Sequence, residues 1–432
     1  VSADTGRARP VVTGLGTFTP LGRGADKLFD ALCRGASGLR RPPPGHLLDG
    51  TVGAAGIAPE IAAREVLPPS EGRLVDRYVL MAMAAADDAV ADAGLTVGRD
   101  VDPHRVAVVI SSGAGGLTTY EEQTRARAER GPTAVSPYLL PGMLPNMAAA
   151  RIAIKYGARG WSSAIATACS AGAHAVAEAA RLIRYGEADV VICGGAEAPL
   201  NPTSALAFAH ARALASGWDD PERASRPFDR RRNGFVLAEG AGVLVVERAE
   251  HADARGAAGY ADLVGWGATT DAYRPTAPRP DGEGAAHSMR GALATAGLTP
   301  ADVGYVNAHG TATKLGDIAE TKAVRAVFGD RSPAVSSTKS MTGHLLGGSG
   351  AVEAVVCALA LTRGALPPTH NLDEVDPRCD LDHVRGAARR QRVEAVISNS
   401  FAFGGHNVSL LLATASTRKK HPATTSEKGS PA

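Results

Sequence analysis

The stretch Trp161–Gly195, WSSAIATACSAGAHAVAEAARLIRYGEADVVICGG, decides how this chain folds. It predicts a short strand from Ser163 to Thr167, a tight turn at Ala168-Cys169-Ser170, and an alanine-rich helix from Ala171 to Tyr185. A buried strand from Asp189 to Cys193 follows and ends in Gly194 and Gly195. A cysteine at the point where a strand gives way to a helix lies beside unpaired backbone N–H groups and the positive end of the helix dipole. Both favour the thiolate, which is the nucleophile, and the dipole is worth a lowering of about one pKa unit. The competing reading is a small apolar side chain packed at a helix start. This stretch alone leaves the two level.

Composition narrows the choice. The 432 residues carry a net charge of +2, with 44% hydrophobic but only 4% aromatic residues, so the core is built from Ala, Val, Leu and Ile. Such a length suits one large α/β unit or two fused halves. The near-neutral charge gives no reason to expect a nucleic-acid partner. Five cysteines (Cys33, Cys169, Cys193, Cys357 and Cys379) show neither CxxC nor metal-ligand spacing, and an odd, scattered set points to a reducing compartment. No apolar run approaches the ~20 residues that cross a bilayer, and the N-terminal residues lack an apolar signal segment. A soluble, cytoplasmic protein with no membrane partner is expected.

Read in order, residues 1–9 form a disordered lead-in, and a strand from Arg9 to Gly16 ends in glycine-rich turns. No GxGxxG accompanies it, which argues against a dinucleotide site. A helix over Ala25–Cys33 and a Pro- and Gly-rich loop over 35–70 precede a long helix, Arg73–Ala93, whose middle is apolar on most sides. Strand Arg105–Ser111 leads into Gly113-Ala114-Gly115-Gly116, and a further helix is expected at Ser204–Ala215. Glu239, set among glycines beside the strand Val243–Glu247, reads as a buried, paired carboxylate or as a turn residue. The second half offers strands at Ala261–Gly267, Tyr305–Ala308, Ala334–Ser336, Ala395–Ser400 and Asn407–Ala413. Helices are expected at Gly284–Ala296, Asp317–Val327 and Gly350–Ala360. Each half opens with a similar strand, VTGLGT or VGWGAT, and then alternates helices with apolar strands. The expectation is an α/β chain of two fused repeats, 10–255 and 256–413, with a disordered tail over 414–432.

Two of the 12 histidines lie at predicted element edges. His309 follows the strand Tyr305-Val-Asn-Ala, and His344 sits in STKSMTGHLLGGSG. Strand ends are where α/β proteins place their sites. Singly each histidine reads as structural; together with Cys169 they form a constellation.

The segments TACSAGAH around Cys169, NAHGTATKLGDIAE around His309, STKSMTGHLLGGSGAVEA around His344 and NSFAFGGHN at Asn399–Asn407 resemble the β-ketoacyl-acyl-carrier-protein synthases of the thiolase superfamily. They are most like the synthase II type. RPFDRRRNGFVLAEGAG and TAPRPDGEGA add to the likeness, which runs from about Val11 to Ala413. The resemblance implies a thiolase fold, two pseudo-repeats in five αβαβα layers, assembled as a dimer. It implies that Cys169 accepts an acyl group from a carrier-protein thioester and that His309 and His344 sit over a malonyl thioester. The backbone N–H groups of Cys169 and Phe403 would meet the oxyanion. Lys339 and Glu320 match a charged pair on the histidine side, and Thr311 and Thr313 match residues that bond the phosphopantetheine arm. Phe401 and Phe403, with Gly404 and Gly405, match a mobile gate, although core packing stays open for the two Phe. Asn307, Glu353 and Asn399 stand where some relatives hold a structural ion. No cofactor or catalytic metal is implied, because the substrates travel on the arm of an acyl carrier protein.

Three departures stand out. Ala114 replaces the larger aliphatic residue that closes the acyl pocket across the dimer interface in many relatives, which implies a longer or less typical acyl chain. Only Arg73 is basic near the expected tunnel mouth, which shifts carrier docking to Arg230, Arg231 and Arg232. Ala402 and His406 stand where fatty-acid enzymes commonly show Gly and Thr, a drift also found in polyketide ketosynthases. The implied roles are fatty-acid elongation by a homodimer, or polyketide extension in a heterodimer with a chain-length-factor-like homologue. A non-catalytic partner subunit typically lacks the cysteine present here. A thiolase running without decarboxylation uses a second cysteine instead of the histidine pair.

Overall fold

The computed structural model describes residues 8–68, 71 and 74–414. Arg73, most of the expected lead-in and the tail from residue 415 lie outside the described residues, while Thr414 closes the last strand.

Ten strands follow one path, and a short eleventh, Gly22–Arg23, folds back on the first. In chain order they are β1 (Pro10–Thr19), β2 (Val106–Ser111), β3 (Ser162–Ser163), β4 (Val190–Glu197) and β5 (Gly240–Arg248). Then come β6 (Ala261–Thr270), β7 (Tyr305–Asn307), β8 (Ala334–Ser336), β9 (Ala395–Phe401) and β10 (His406–Thr414). The first half has the order β3-β2-β4-β5-β1 and the second β8-β7-β9-β10-β6. In each half the first three strands are parallel and the last two join antiparallel. Order and direction therefore repeat element by element. The halves touch edge to edge where Val11 and Val12 of β1 pair Asp262 and Ala261 of β6.

Six helices cover the sheets: α1 (Arg77–Ala93), α2 (Met147–Tyr156), α3 (Ala171–Arg184), α4 (Glu283–Ala296), α5 (Lys314–Phe328) and α6 (Ser349–Arg363). α1 and α2 coat the outer face of the first half and α4 and α5 that of the second, while α3 and α6 pack between the halves. The result is the five-layered thiolase arrangement. The similar opening strands now have a physical meaning. A Cβ on Gly16 of β1 would meet the carbonyl oxygen of Ala85 in α1 at 1.9 Å, and one on Gly267 of β6 would meet that of Ser288 in α4 at 2.0 Å. Glycine lets a helix backbone lie directly on its strand in both repeats.

The structure amends several expectations. α1 starts at Arg77, where the Asp76 side chain accepts from the N–H of Tyr78, a regular N-cap. The strand ahead of Cys169 ends at Ser163 because β3 is an edge strand paired on one side only, and the Ile165 N–H bonds Ser111 Oγ instead of a ladder partner. The stretch Leu346–Arg363 is long and apolar enough to cross a bilayer, contrary to the first reading, yet it lies almost wholly buried as the core helix between the sheets. Glu239 is the paired carboxylate: it is buried, and both its oxygens accept from Arg77 of α1 at 2.8 and 2.9 Å.

Candidate active site

Cys169 sits in a single 3-10 turn, Ala168–Ser170, between β3 and α3. Ala168 adopts a left-handed φ of 49°, uncommon for a residue with a side chain and a place where strain is stored. His174, from the second turn of α3, holds the approach to this turn through a 2.9 Å hydrogen bond between its Nδ1 and Thr167 Oγ1. The dipole argument expected a lowered thiol, and here the structure corrects it. Cys169 is 8% exposed, and burial pushes its thiol up to about 12. The charge of Lys339 pulls it down, Glu197 pushes it up, and the N–H groups of Phe403 and Cys169 itself bond the sulfur and pull it down. Desolvation outweighs a dipole worth about one unit. Cys169 rests as a thiol, with its sulfur on the backbone N–H groups of Phe403 and of Cys169 itself.

His309 and His344 come from the second half. Their rings stand edge to face with centroids 5.4 Å apart. Burial first, and then the positive charge of Lys339, hold both imidazoles well below their ordinary pKa; His344 adds to the effect on His309. Both rings are therefore neutral, each carrying one N–H. His344 Nδ1 is taken by Ser349 Oγ at 3.1 Å, which leaves Nε2 for other work. The expected contact between Lys339 and Glu320 is not formed. Lys339 Nζ meets Glu353 Oε1 at 2.5 Å, whereas Glu320 accepts from the backbone N–H groups of His309 at 2.8 Å and Gly310 at 2.7 Å. Glu320 still serves the histidine side, by clamping the backbone under His309 rather than pairing with a charge. Burial pushes both carboxyl groups up to about 7.

Cys169, His309 and His344 line one cavity of about 520 Å³, together with Thr311, Thr313, Phe401 and Phe403. Thr311 and Thr313 share a 3.0 Å hydrogen bond. The rings of Phe208 and Phe235 meet at 5.3 Å, and Phe235 stands edge-on to His344 at 5.2 Å, so the histidines have an aromatic wall that the sequence did not single out. Gly404 and Gly405 adopt φ of 84° and 75°. Their loop is tied by Gly404 N–H to the Pro275 carbonyl and by Asp271 N–H to that of Gly405.

Ala114 is not part of this cavity wall. It is exposed on a loop pinned by Glu197, which accepts from Ser112 Oγ and from the backbone N–H groups of Gly113, Ala114 and Gly347. Glu197 ends β4 directly after Gly194-Gly195-Ala196; that position beside the nucleophile unit was its one signal in the sequence. The three arginines expected to dock a carrier are committed elsewhere. Arg232 is buried between Asp317 and Asp376, Arg231 pairs Asp373, and Arg230 pairs Glu374. Of the three positions that the resemblance marked for an ion, Asn307 has both amide atoms buried without a hydrogen-bond partner, and Glu353 Oε2 is likewise unpartnered. Asn399 is committed to Ser409 and Met289. Among the described residues no three His, Cys, Asp or Glu side chains are grouped to hold a metal.

Comparisons with known proteins agree with this geometry. Residues 8–252 match the family model for the β-ketoacyl synthase N-terminal domain, and residues 260–373 match that for the C-terminal domain. The chain is 43% identical over 410 residues to 3-oxoacyl-[acyl-carrier-protein] synthase 2 of Synechocystis sp., covering 94% of this chain and 98% of that relative. It is equally identical over 408 residues to the enzyme of the same name from Vibrio harveyi, with the same coverage of both chains. Among solved structures, a β-ketoacyl synthase from Burkholderia phymatum superposes with a TM-score of 0.88 at 35% identity, over 94% of this chain and 100% of that one. The ishigamide ketosynthase/chain length factor gives 0.87 at 35%, over 95% and 100%. A ketosynthase solved with its type II polyketide acyl-carrier protein gives 0.88 at 32%, again over 95% and 100%. With its mixed five-layer fold, its buried thiol and its neutral histidine pair, the chain belongs to the β-ketoacyl synthase family, the condensing acyltransferases of the 3-oxoacyl-[acyl-carrier-protein] synthase type.

Proposed function

We propose that Cys169 takes an acyl group from a carrier-protein thioester and that the same cavity then condenses it with a malonyl thioester. In the first step a bond forms between Cys169 Sγ and the acyl carbon, the carrier thioester C–S bond breaks, and the thiol proton leaves on the departing arm. Malonyl thioester then loses CO₂, and the electron pair of the broken C–C bond becomes an enolate. Two neutral imidazole N–H donors stabilise the developing enolate oxygen more than the ground-state carbonyl. The enolate carbon attacks the Cys169 thioester while the N–H groups of Cys169 and Phe403 hold the oxyanion. Collapse releases the Cys169 thiolate, which recovers a proton from water. An acyl-enzyme that splits the reaction in two predicts ping-pong kinetics.

The observation that carries this reading is the meeting of one buried thiol and two neutral histidines, from opposite halves, in one cavity. In this reading Thr311 and Thr313 bond the arm, and Phe401 and Phe403, with Gly404 and Gly405, gate the way between acyl pocket and active site. Acylation followed by intact-mass measurement tests the reading: the wild type gains one acyl group, the Cys169→Ala variant none, and an adduct on the variant would overturn the nucleophile.

A second reading makes the chain the catalytic ketosynthase subunit of a type II polyketide system, paired with a chain-length-factor-like homologue. The solved relatives carrying a chain length factor favour it. Co-purification with candidate homologues separates a homodimer from a heterodimer. Sedimentation as a self-paired species that elongates acyl chains unaided would reject this second reading.

A further inference from the structure

We infer that His174 is a positioning residue for acyl transfer. It grips Thr167 and Ser170, holds Ala168 between them in its left-handed conformation, and so keeps the Cys169 N–H beside the sulfur. The inference rests on the thioester reading above and assigns to its acyl-transfer half a side chain that does not line the cavity.

The turn that carries Cys169 needs outside support. Thr167 has φ −126° and ψ 43°, and Ala168 follows at φ 49°. A residue with a Cβ keeps that region only where its surroundings impose it. Here both flanking residues are fixed. The Thr167 carbonyl accepts from Ser170 N–H at 3.2 Å and from Ser170 Oγ at 2.9 Å. The Thr167 hydroxyl meets His174 Nδ1 at 2.9 Å. The Ser170 carbonyl accepts from the same imidazole. One side chain thus touches the residues on both sides of Ala168-Cys169.

His174 is a firm post for this grip. It stands on α3, whose first turn is pressed against the loop that carries His344: a Cβ on Gly172 would lie 2.6 Å from the Gly347 carbonyl oxygen. The helix cannot slide to follow a relaxing turn, and a restraint borne by a helix is more exact than one borne by a loop. The far side of the turn is closed as well, since a Cβ on Gly113 would lie 3.3 Å from Ala168 Cα. Burial holds the His174 ring below its ordinary pKa against the pull of the Ser170 carbonyl, and His406 acts in the same sense as burial. The ring is neutral, so it bonds its partners without adding a charge beside Cys169. The Cys169 N–H belongs to the peptide that Ala168 carries, and a relaxed Ala168 turns that N–H away from the sulfur. In the proposed reaction CO₂ release uses His309 and His344, from the other half, and no part of this turn.

The experiment follows two partial reactions of His174→Ala: acylation of Cys169 by an acyl thioester, read by intact mass against time, and CO₂ release from a malonyl thioester. Acylation should slow roughly tenfold, as for a donor misaimed rather than removed, while CO₂ release stays near the wild-type rate. His174→Asn, whose amide falls where Nδ1 stood, should restore most of the acylation rate, and His174→Gln, whose amide reaches past it, should not. Thr167→Val should reproduce most of the loss, and the Thr167→Val, His174→Ala double variant should lose no more than His174→Ala alone. Acylation of His174→Ala at the wild-type rate would overturn the positioning role. So would an equal loss in both partial reactions, which marks a packing residue, or fully additive losses in the double variant. The nitrogen resonance of His174 Nδ1, which needs no substrate, should shift in Thr167→Val. That shift in a protein whose wild type takes up no acyl group would overturn the thioester reading, and the acyl-transfer role with it, while leaving the hydrogen bond in place.

Discussion

Glu197 Oε2, at the end of a strand in the first half, accepts a hydrogen bond at 3.0 Å from the backbone N–H of Gly347, three residues beyond His344 in the second half. The same carboxylate holds Ser112, Gly113 and Ala114, so it joins the loop beside Cys169 to the loop that carries His344. It is buried, and desolvation raises its pKa against the hydrogen bonds that it accepts. A Cβ on Gly347 would stand 2.5 Å from its Oε2, so the joint has no room to relax.

Glu197→Gln turns an accepting oxygen into an amide that faces N–H donors. Leaving one or two of those donors unpaired costs about 1–3 kcal/mol. The variant should unfold at lower denaturant and lose kcat more than it gains in KM for the malonyl thioester, because His344 shifts relative to Cys169. An unchanged ratio of the two parameters, measured on the folded fraction, would reduce Glu197 to a packing residue.

Removing either imidazole should slow decarboxylation more than acylation. The loss of one preorganised donor is expected to lower CO₂ release from malonyl thioester about 10²–10³-fold. His309→Ala and His344→Ala should still acquire an acyl group on Cys169 by mass. Undiminished CO₂ release from either variant would remove the enolate role.

The Cys169 thiol is raised by burial and eased by the charge of Lys339. For an acid, removing a nearby positive charge disfavours the thiolate and raises the pKa further. Alkylation of the free wild-type protein should therefore still accelerate near about pH 10, where an ordinary exposed cysteine has levelled off. A Lys339→Gln, Glu353→Gln double variant, which avoids stranding one buried charge, should react more slowly at every pH. Faster alkylation of the double variant would contradict the assigned field.

Ala114 directly follows Gly113, whose Cβ position lies 3.3 Å from Ala168 of the nucleophile turn, yet Ala114 itself is exposed in the single chain. We propose that a second subunit completes a pocket at this point. Ala114→Ile should shorten the longest acyl chain that the assembled enzyme elongates. An unaltered product profile, measured on the dimer, would show that this loop does not set chain length.

Much of the site was legible because its signals are local. Cys169 between a strand and a helix, His309 at a strand end and the glycines that let a helix lie on a strand each follow from a few neighbouring residues. Glu239 was also readable, as an acidic residue set among glycines beside an apolar strand. The ion pairs were not. Glu320 and Glu353 both sit in motifs near Lys339 in the sequence, and spacing does not say which one the ammonium meets. Arg230, Arg231 and Arg232 look like a surface patch as letters, but Asp317, Asp373, Glu374 and Asp376 absorb their charge through contacts that cross the chain.

By itself, then, the sequence determined the repeat and the element order, since short-range periodicity and turn chemistry carry that information, and its motifs singled out the three side chains that the structure brings into one cavity. Tertiary structure decided the protonation of those side chains and the identity of their partners. A thiol that the helix start would have favoured as thiolate is a buried thiol at the seam of two halves, and two histidines are held neutral by burial and one lysine. Desolvation and ion pairing depend on what the rest of the chain brings to within a few ångströms, and no local stretch of residues contains that.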